Sequence, residues 1–177
     1  MIARIEYAKA LFMLAEEENA CEKILADLRS AVAAVKENEG YLALLDTPAL
    51  AKEEKLQLVD EAFASLEESV INLIKILCEK RMTRELPEIL KEYELLYDEK
   101  FGILRVEAVS ARPMSDLQIA ALKAKLEKEK QKTVVITNTV KPEILGGLKL
   151  RFSGIQLDGS LKTRLDKIEE SLKNVIV

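Results

Sequence analysis

The apolar residues of this chain recur every third or fourth position as far as Gly102, where the period first changes to alternating. That single change of period constrains the fold more than any motif. A 3.6-residue period requires helices that bury one stripe, and a two-residue period requires strands that bury one face. Helices therefore come first and strands second, which predicts an α+β protein. An N-terminal six-helix antiparallel bundle is expected over residues 1–102, and a small α/β domain over 103–177. The 177 residues are 49% hydrophobic and 33% charged, enough for two small cores with solvated exteriors.

The first helix, from about Ala3 to Glu17, carries an unusually broad apolar face. Ile5, Ala8, Phe12 and Ala15 form one edge of it, and Tyr7, Leu11 and Leu14 widen it to an arc of about 180°, against about 100° for an ordinary surface helix. A second helix, about Cys21 to Lys36, has the ordinary stripe of Cys21, Ile24, Leu25, Leu28, Val32 and Val35. Gly40 is expected to break the pattern before a short helical piece from Tyr41 to Leu45, which ends at Thr47-Pro48. A fourth helix packs through Leu56, Val59 and Phe63. Ser65 and Glu68 have capping-box spacing and predict the start of the fifth helix. There Val70, Leu73, Ile74, Ile76, Leu77 and Cys78 span about 220°. The sixth, Thr83 to Phe101, turns Leu86, Ile89, Leu90, Tyr93, Leu96 and Tyr97 inward, with Pro87 in its first turn, where a missing N–H costs little.

After Gly102, Leu104, Val106 and Ala108 share one strand face and Arg105 and Glu107 the other, until Pro113 closes the strand. Ser115 and Gln118 form a second capping box, opening a helix with Ile119, Leu122 and Leu126 inward. Residues Thr133 to Val140 are rich in β-branched side chains and read as a strand. Gly146-Gly147 then precedes the alternating Leu148 to Phe152. A turn at Ser153-Gly154, a short strand with Ile155 and Leu157, and Asp158-Gly159-Ser160 lead to a closing helix with Leu161, Leu165, Ile168 and Leu172 on one stripe.

Several function classes are excluded by what the residues offer. A net charge of −4 is not that of a dedicated nucleic-acid binder, and Lys123, Lys125, Lys128, Lys130 and Lys132 are interleaved with Glu127 and Glu129 as a solvated face. The longest apolar runs fall far short of a membrane span, so no direct membrane insertion is expected. Arg4, Glu6 and Lys9 interrupt any secretory core, and the start lacks the Arg- and Ser-rich, acid-poor character of a transit peptide; the chain reads as a mature bacterial cytosolic product. Histidine is absent, which removes the commonest general base and metal ligand, and neither a metal nor a cofactor is expected. Cys21 and Cys78 fall on apolar helix faces, where a reduced thiol acts as a small hydrophobe. Gly146-Gly147 precedes a strand instead of opening a helix, so it is no phosphate loop, and Asp158 reads as a turn residue. No catalytic residues are assigned.

Three segments, taken in order, are similar to one known family. Tyr7-Ala8-Lys9-Ala10-Leu11-Phe12 resembles its opening helix, Asn72 to Leu77 with Glu79-Lys80 its middle, and Gly146-Gly147-Leu148 with Asp158-Gly159-Ser160 and a Leu-rich end its carboxyl terminus. Together they resemble the delta subunit of bacterial F-type ATP synthase, whose mitochondrial relative is the oligomycin-sensitivity-conferring protein. Many relatives have Gly near the position of Arg81, where this chain departs from the pattern.

The over-wide faces of the first and fifth helices leave two readings open by pattern alone: central helices buried on most sides, or a groove that receives a partner helix. The resemblance implies the groove, occupied by the amino-terminal helix of the catalytic head's alpha subunit. Carried over residue by residue, its candidates are Tyr7, Ala8, Leu11 and Phe12 with Ile74, Leu77 and Cys78. It also implies that the carboxyl-terminal module holds the C-terminal ends of the b subunits of the peripheral stalk. The protein would then be a non-catalytic stator connector, peripheral on the cytoplasmic face of the bacterial plasma membrane. The alternative is a free-standing helical adaptor or regulatory interaction module.

Overall fold

The computed structural model describes residues 2–47, 50–144, 146–152 and 154–159. Pro48, Ser153 and the expected closing helix with Leu161, Leu165, Ile168 and Leu172 lie outside the described residues. The chain divides into two compact units, residues 1–99 and 100–177.

In the first unit the described residues form six α-helices: α1 (Ile2–Glu17), α2 (Cys21–Glu37), α3 (Glu39–Asp46), α4 (Lys52–Ala62), α5 (Glu68–Glu79) and α6 (Leu86–Lys100). A single 3-10 turn at Thr83–Glu85 precedes α6, and Pro87 stands in the first turn of α6. One apolar cluster joins the helices, and its largest fully buried members include Ile24, Leu28, Leu77, Leu86, Ile89 and Tyr93. Tyr93 lies edge-on to Phe12 at 5.3 Å between ring centres and donates its hydroxyl to the Cys21 carbonyl at 3.2 Å. A buried phenol needs such a partner, because an unpaired hydroxyl there would lose its hydration without return. Leu90, Leu96 and Tyr97 are only partly buried against the cluster.

Local chemistry sets the helix ends, and two boundaries differ from the pattern. Gly40 does not break the chain: α3 begins at Glu39, and the break falls on Asn38, whose backbone is at φ −129°, ψ 67°. The carbonyl of Asn38 accepts from Tyr41 N–H at 2.9 Å, so glycine is simply absorbed into the first turn. Nor does Ser65 open α5. Residues 63–66 form a turn with Leu66 N–H on the Phe63 carbonyl, and α5 starts at Glu68. The Glu67 N–H is taken instead by the Asp27 carboxylate of α2, at 2.8 Å. An acid from another helix thus satisfies a donor that a local cap would otherwise have met. The end of α5 is a Schellman turn: Arg81 N–H reaches the Cys78 carbonyl and Met82 N–H the Leu77 carbonyl, with Arg81 left-handed at φ 56°.

In the second unit, Gly102 (φ 61°) turns the chain into β1 (Ile103–Ser110). There follow α7 (Asp116–Lys130), β2 (Thr133–Val140), a 3-10 turn at Pro142–Ile144, β3 (Leu148–Phe152) and β4 (Ile155–Asp158). The capping box at α7 forms as the spacing predicts: Gln118 N–H donates to Ser115 Oγ at 3.3 Å, and Ser115 N–H to Gln118 Oε1 at 3.0 Å. The strand order is β2-β1-β3-β4. β1 and β2 are parallel, with α7 as the connection between them, and β3 and β4 add antiparallel. The core of this unit is Leu104, Val106, Leu126, Val134 and Phe152, which places α7 over one face of the sheet, and Leu122 is half-buried beside them. Pro113 follows the strand in the loop to α7, and Asn138 pins that loop by donating to the Ala108 carbonyl and Ser110 Oγ while accepting from Met114 N–H.

Candidate functional site

α1 and α5 pack against each other within the helical unit. On α1 the residues Ala8, Leu11, Phe12 and Ala15 make the buried stripe, and on α5 it is Val70, Leu73, Ile74, Leu77 and Cys78. Of the seven residues expected to line a slot, Ala8, Leu11, Phe12, Ile74, Leu77 and Cys78 are therefore buried among the chain's own side chains, and Tyr7 is half-buried against them. Phe12 is occupied by Tyr93, and Cys78 Sγ points to the Leu45 carbonyl at 3.8 Å. Among the described residues these six lie on the inner wall of the helix pair, facing the chain's own side chains.

The surface these helices do offer lies one step around each axis. Ala3, Tyr7, Ala10 and Leu14 follow one another at spacings of four, three and four, so they form a second stripe beside the buried one. Ala3 and Tyr7 are half-buried, Ala10 is exposed, and Leu14 keeps 39% of its surface. On α5, Ile76 keeps 43%. The ion pair of Lys75 with Asp60 at 2.6 Å turns the Lys75 flank of α5 toward α4. Ile76, about 100° further round, projects from the other flank. Pattern reading counted Leu14 and Ile76 in their arcs but did not single them out. Breadth of arc was the available signal, and it does not say which edge a neighbour fills.

Arg4 bridges to Glu85 at 3.2 Å and Glu88 at 3.9 Å, and the hydrogen bond from Lys91 holds the Glu88 carboxyl below the usual range. Burial pushes the Tyr93 phenol well above its ordinary pKa and the Tyr41 phenol up to about 12, so both stay neutral donors. Among the described residues no three His, Cys, Asp or Glu side chains approach closely enough to hold a metal ion, and no helix is long and apolar enough to cross a membrane. What the two helices expose is apolar: Leu14 beside Tyr7 and Ala10 on α1, and Ile76 on α5.

Comparison with known proteins agrees along the whole length. The family model described as ATP synthase delta (OSCP) subunit matches residues 3–172. ATP synthase subunit delta of Clostridioides difficile (strain 630) is 37% identical over 172 residues, covering 96% of this chain and 95% of its own. The same subunit of Caldanaerobacter subterraneus subsp. tengcongensis is 30% identical over 170 residues, covering 96% of each. A chain in the cryo-EM structure of the Toxoplasma gondii mitochondrial ATP synthase hexamer shares the fold with a TM-score of 0.71 and 25% identity, over 96% of both chains. With its family matched from the first helix to the carboxyl end, this chain belongs to the ATP synthase delta (OSCP) subunit family.

Proposed function

We propose that this chain is the stator connector of an F-type ATP synthase, a structural subunit that performs no chemistry itself. The observation that carries the reading is the family match over residues 3–172. In this reading the six helices form an antiparallel bundle that grips the amino-terminal helix of the alpha subunit of the catalytic head. The carboxyl-terminal module holds the C-terminal ends of the b subunits, and the complex keeps the chain on the cytoplasmic face of the bacterial plasma membrane. Rotation of a central shaft drives synthesis only when the head is held against it, so the connector must stay attached throughout turnover.

The grip works as a helix laid on an apolar strip. Leu14 and Ile76 are its exposed anchors, Tyr7 and Ala10 its shoulder, and the buried Ala8, Leu11, Phe12, Ile74, Leu77 and Cys78 keep α1 and α5 in register behind it. To remain assembled at scarce concentration the contact needs roughly nanomolar affinity, about −12 kcal/mol. A few well-packed anchors supply most of such a value.

Titration of the full chain with a synthetic peptide of the alpha amino terminus tests this. Tight binding is expected, with Leu14→Asp and Ile76→Asp each weakening it by about 30-fold or more, the effect of losing a hot-spot side chain, while the unfolding midpoint stays near that of the parent. Phe12→Asp and Leu77→Asp are expected to unfold the helical unit, because each buries a charge in its core. A peptide that fails to bind the native chain, or that binds both exposed variants as well as the parent, overturns the assignment.

A further inference from the structure

β2 forms one edge of the sheet, and its hydrogen-bonding direction can be read residue by residue. Thr133 N–H reaches the Gly102 carbonyl at 2.9 Å, and Lys141 N–H reaches the Ser110 carbonyl at 2.7 Å, so the odd-numbered residues face β1. In a strand the next residue points its N–H and C=O the opposite way. Val134, Ile136, Asn138 and Val140 therefore aim theirs outward. Glu127 of α7 confirms the direction by accepting from Val134 N–H at 3.1 Å. Among the described residues the outward amides of Ile136, Asn138 and Val140 have no acceptor.

Natural sheet edges are protected by shortness, charge, proline or a bulge. The opposite edge follows that rule: β4 is four residues long, and its Asp158 pairs with Lys149 at 2.9 Å. β2 does not. It runs for eight residues as Thr-Val-Val-Ile-Thr-Asn-Thr-Val, without charge or proline, in unbroken register with β1, and leaves Val135 and Val140 about 40% exposed. The charges lie just outside it, at Lys132 and Lys141. Two antiparallel copies paired about Thr137 set Lys132 of each across from Pro142 of the other, one residue from its Lys141, so each end of the pairing gathers like charge, which works against self-association. The same two ammonium groups favour an incoming segment that carries carboxylates at its ends.

We propose that the open edge of β2, from Ile136 to Val140, is a strand-addition site that receives an extended, β-branched segment with acidic ends from a partner protein. Main-chain bonds to Ile136, Asn138 and Val140 hold the segment, and Lys132 and Lys141 select its ends. This mode is separate from the helix grip of α1 and α5 and stands whether or not that grip does.

The probe is a capped peptide, Asp-Thr-Val-Thr-Val-Thr-Asp, added to the full chain, with amide exchange read residue by residue. Exchange at Ile136, Asn138 and Val140 is expected to slow about tenfold at free peptide ten times Kd, while Val135 and Thr137, already bonded to β1, do not change. A peptide with Lys in place of both Asp is expected to bind far more weakly, and Lys132→Glu with Lys141→Glu to reverse that preference. Val140→Pro deletes one outward donor and leaves the β1 ladder intact, a change edge strands accept, so affinity should fall about tenfold. If that variant does not fold, N-methylation of the peptide's inward-facing amides removes the same bonds from the other side. The proposal is overturned if neither peptide slows these amides, if N-methylation or Val140→Pro leaves binding unchanged, or if the three amides are already protected in the free chain by residues of its own.

Discussion

Arg81 holds a left-handed backbone at φ 56° at the point where α5 ends, a conformation that costs a residue with a Cβ roughly 1–2 kcal/mol. The Schellman bonds of Arg81 and Met82 maintain it, and Met82 adds its side chain to the core. Glycine takes the same turn without that cost but gains freedom in the unfolded chain. Arg81→Gly is therefore expected to stabilise the protein by about 0.5–1 kcal/mol, visible as a higher denaturant midpoint at unchanged slope. A second residue-scale expectation concerns alkali. Burial raises the Tyr41 phenol to about 12, against about 10 in the unfolded chain. Its stabilising contribution is complete below pH 10 and is lost as pH rises from there toward 12, because only the unfolded state gives up its proton in that range. Tyr41→Phe should unfold less steeply with pH over that interval, as followed by thermal melts at successive pH values. Tyr93, displaced in the same direction, leaves a residual slope.

Among the elements, α5 shows where local pattern and tertiary contact part company. Ser65 with Glu68 had the spacing of a cap, yet the first free donor of the helix is met by Asp27, forty residues back in sequence. Asp27→Ala should cost about 1 kcal/mol, the usual worth of a cap, whereas Ser65→Ala should be nearly neutral; equilibrium unfolding of the two variants distinguishes them. The box at Ser115 and Gln118 did form, because among the described residues no outside group competes for Gln118 N–H. The same division explains what the sequence made legible. Periodicity located the six helices of the first unit, and β-branched content located β2 at the boundaries observed, since both signals are local. It could not show that Gly40 is absorbed into α3, or that Ile76 stays outside while Leu77 goes in. Those outcomes depend on which neighbour arrives, and neighbours are not encoded at short range. For the candidate site, the broad arcs of α1 and α5 singled out two helices that pack against each other. They did not indicate that Ala8, Leu11, Phe12, Ile74, Leu77 and Cys78 form the inner wall and leave Leu14 and Ile76 as the outer one.

At the scale of the whole molecule, each of the two units carries a hydrophobic cluster of its own, one around Tyr93 and one beneath α7. Residues 1–99 produced alone are therefore expected to keep their helical circular dichroism and to melt in one cooperative transition. A gradual, sloping melt would mean that the first unit leans on the second for its order. Within the first unit, the Asp27 contact has a further consequence for how order arises. Because α5 borrows the closure of its first turn from α2, it is a poor seed during refolding. Its early turns gain their anchor only when α2 has come alongside, so secondary structure in α5 and side-chain burial around Val70 and Leu73 should develop at one common rate.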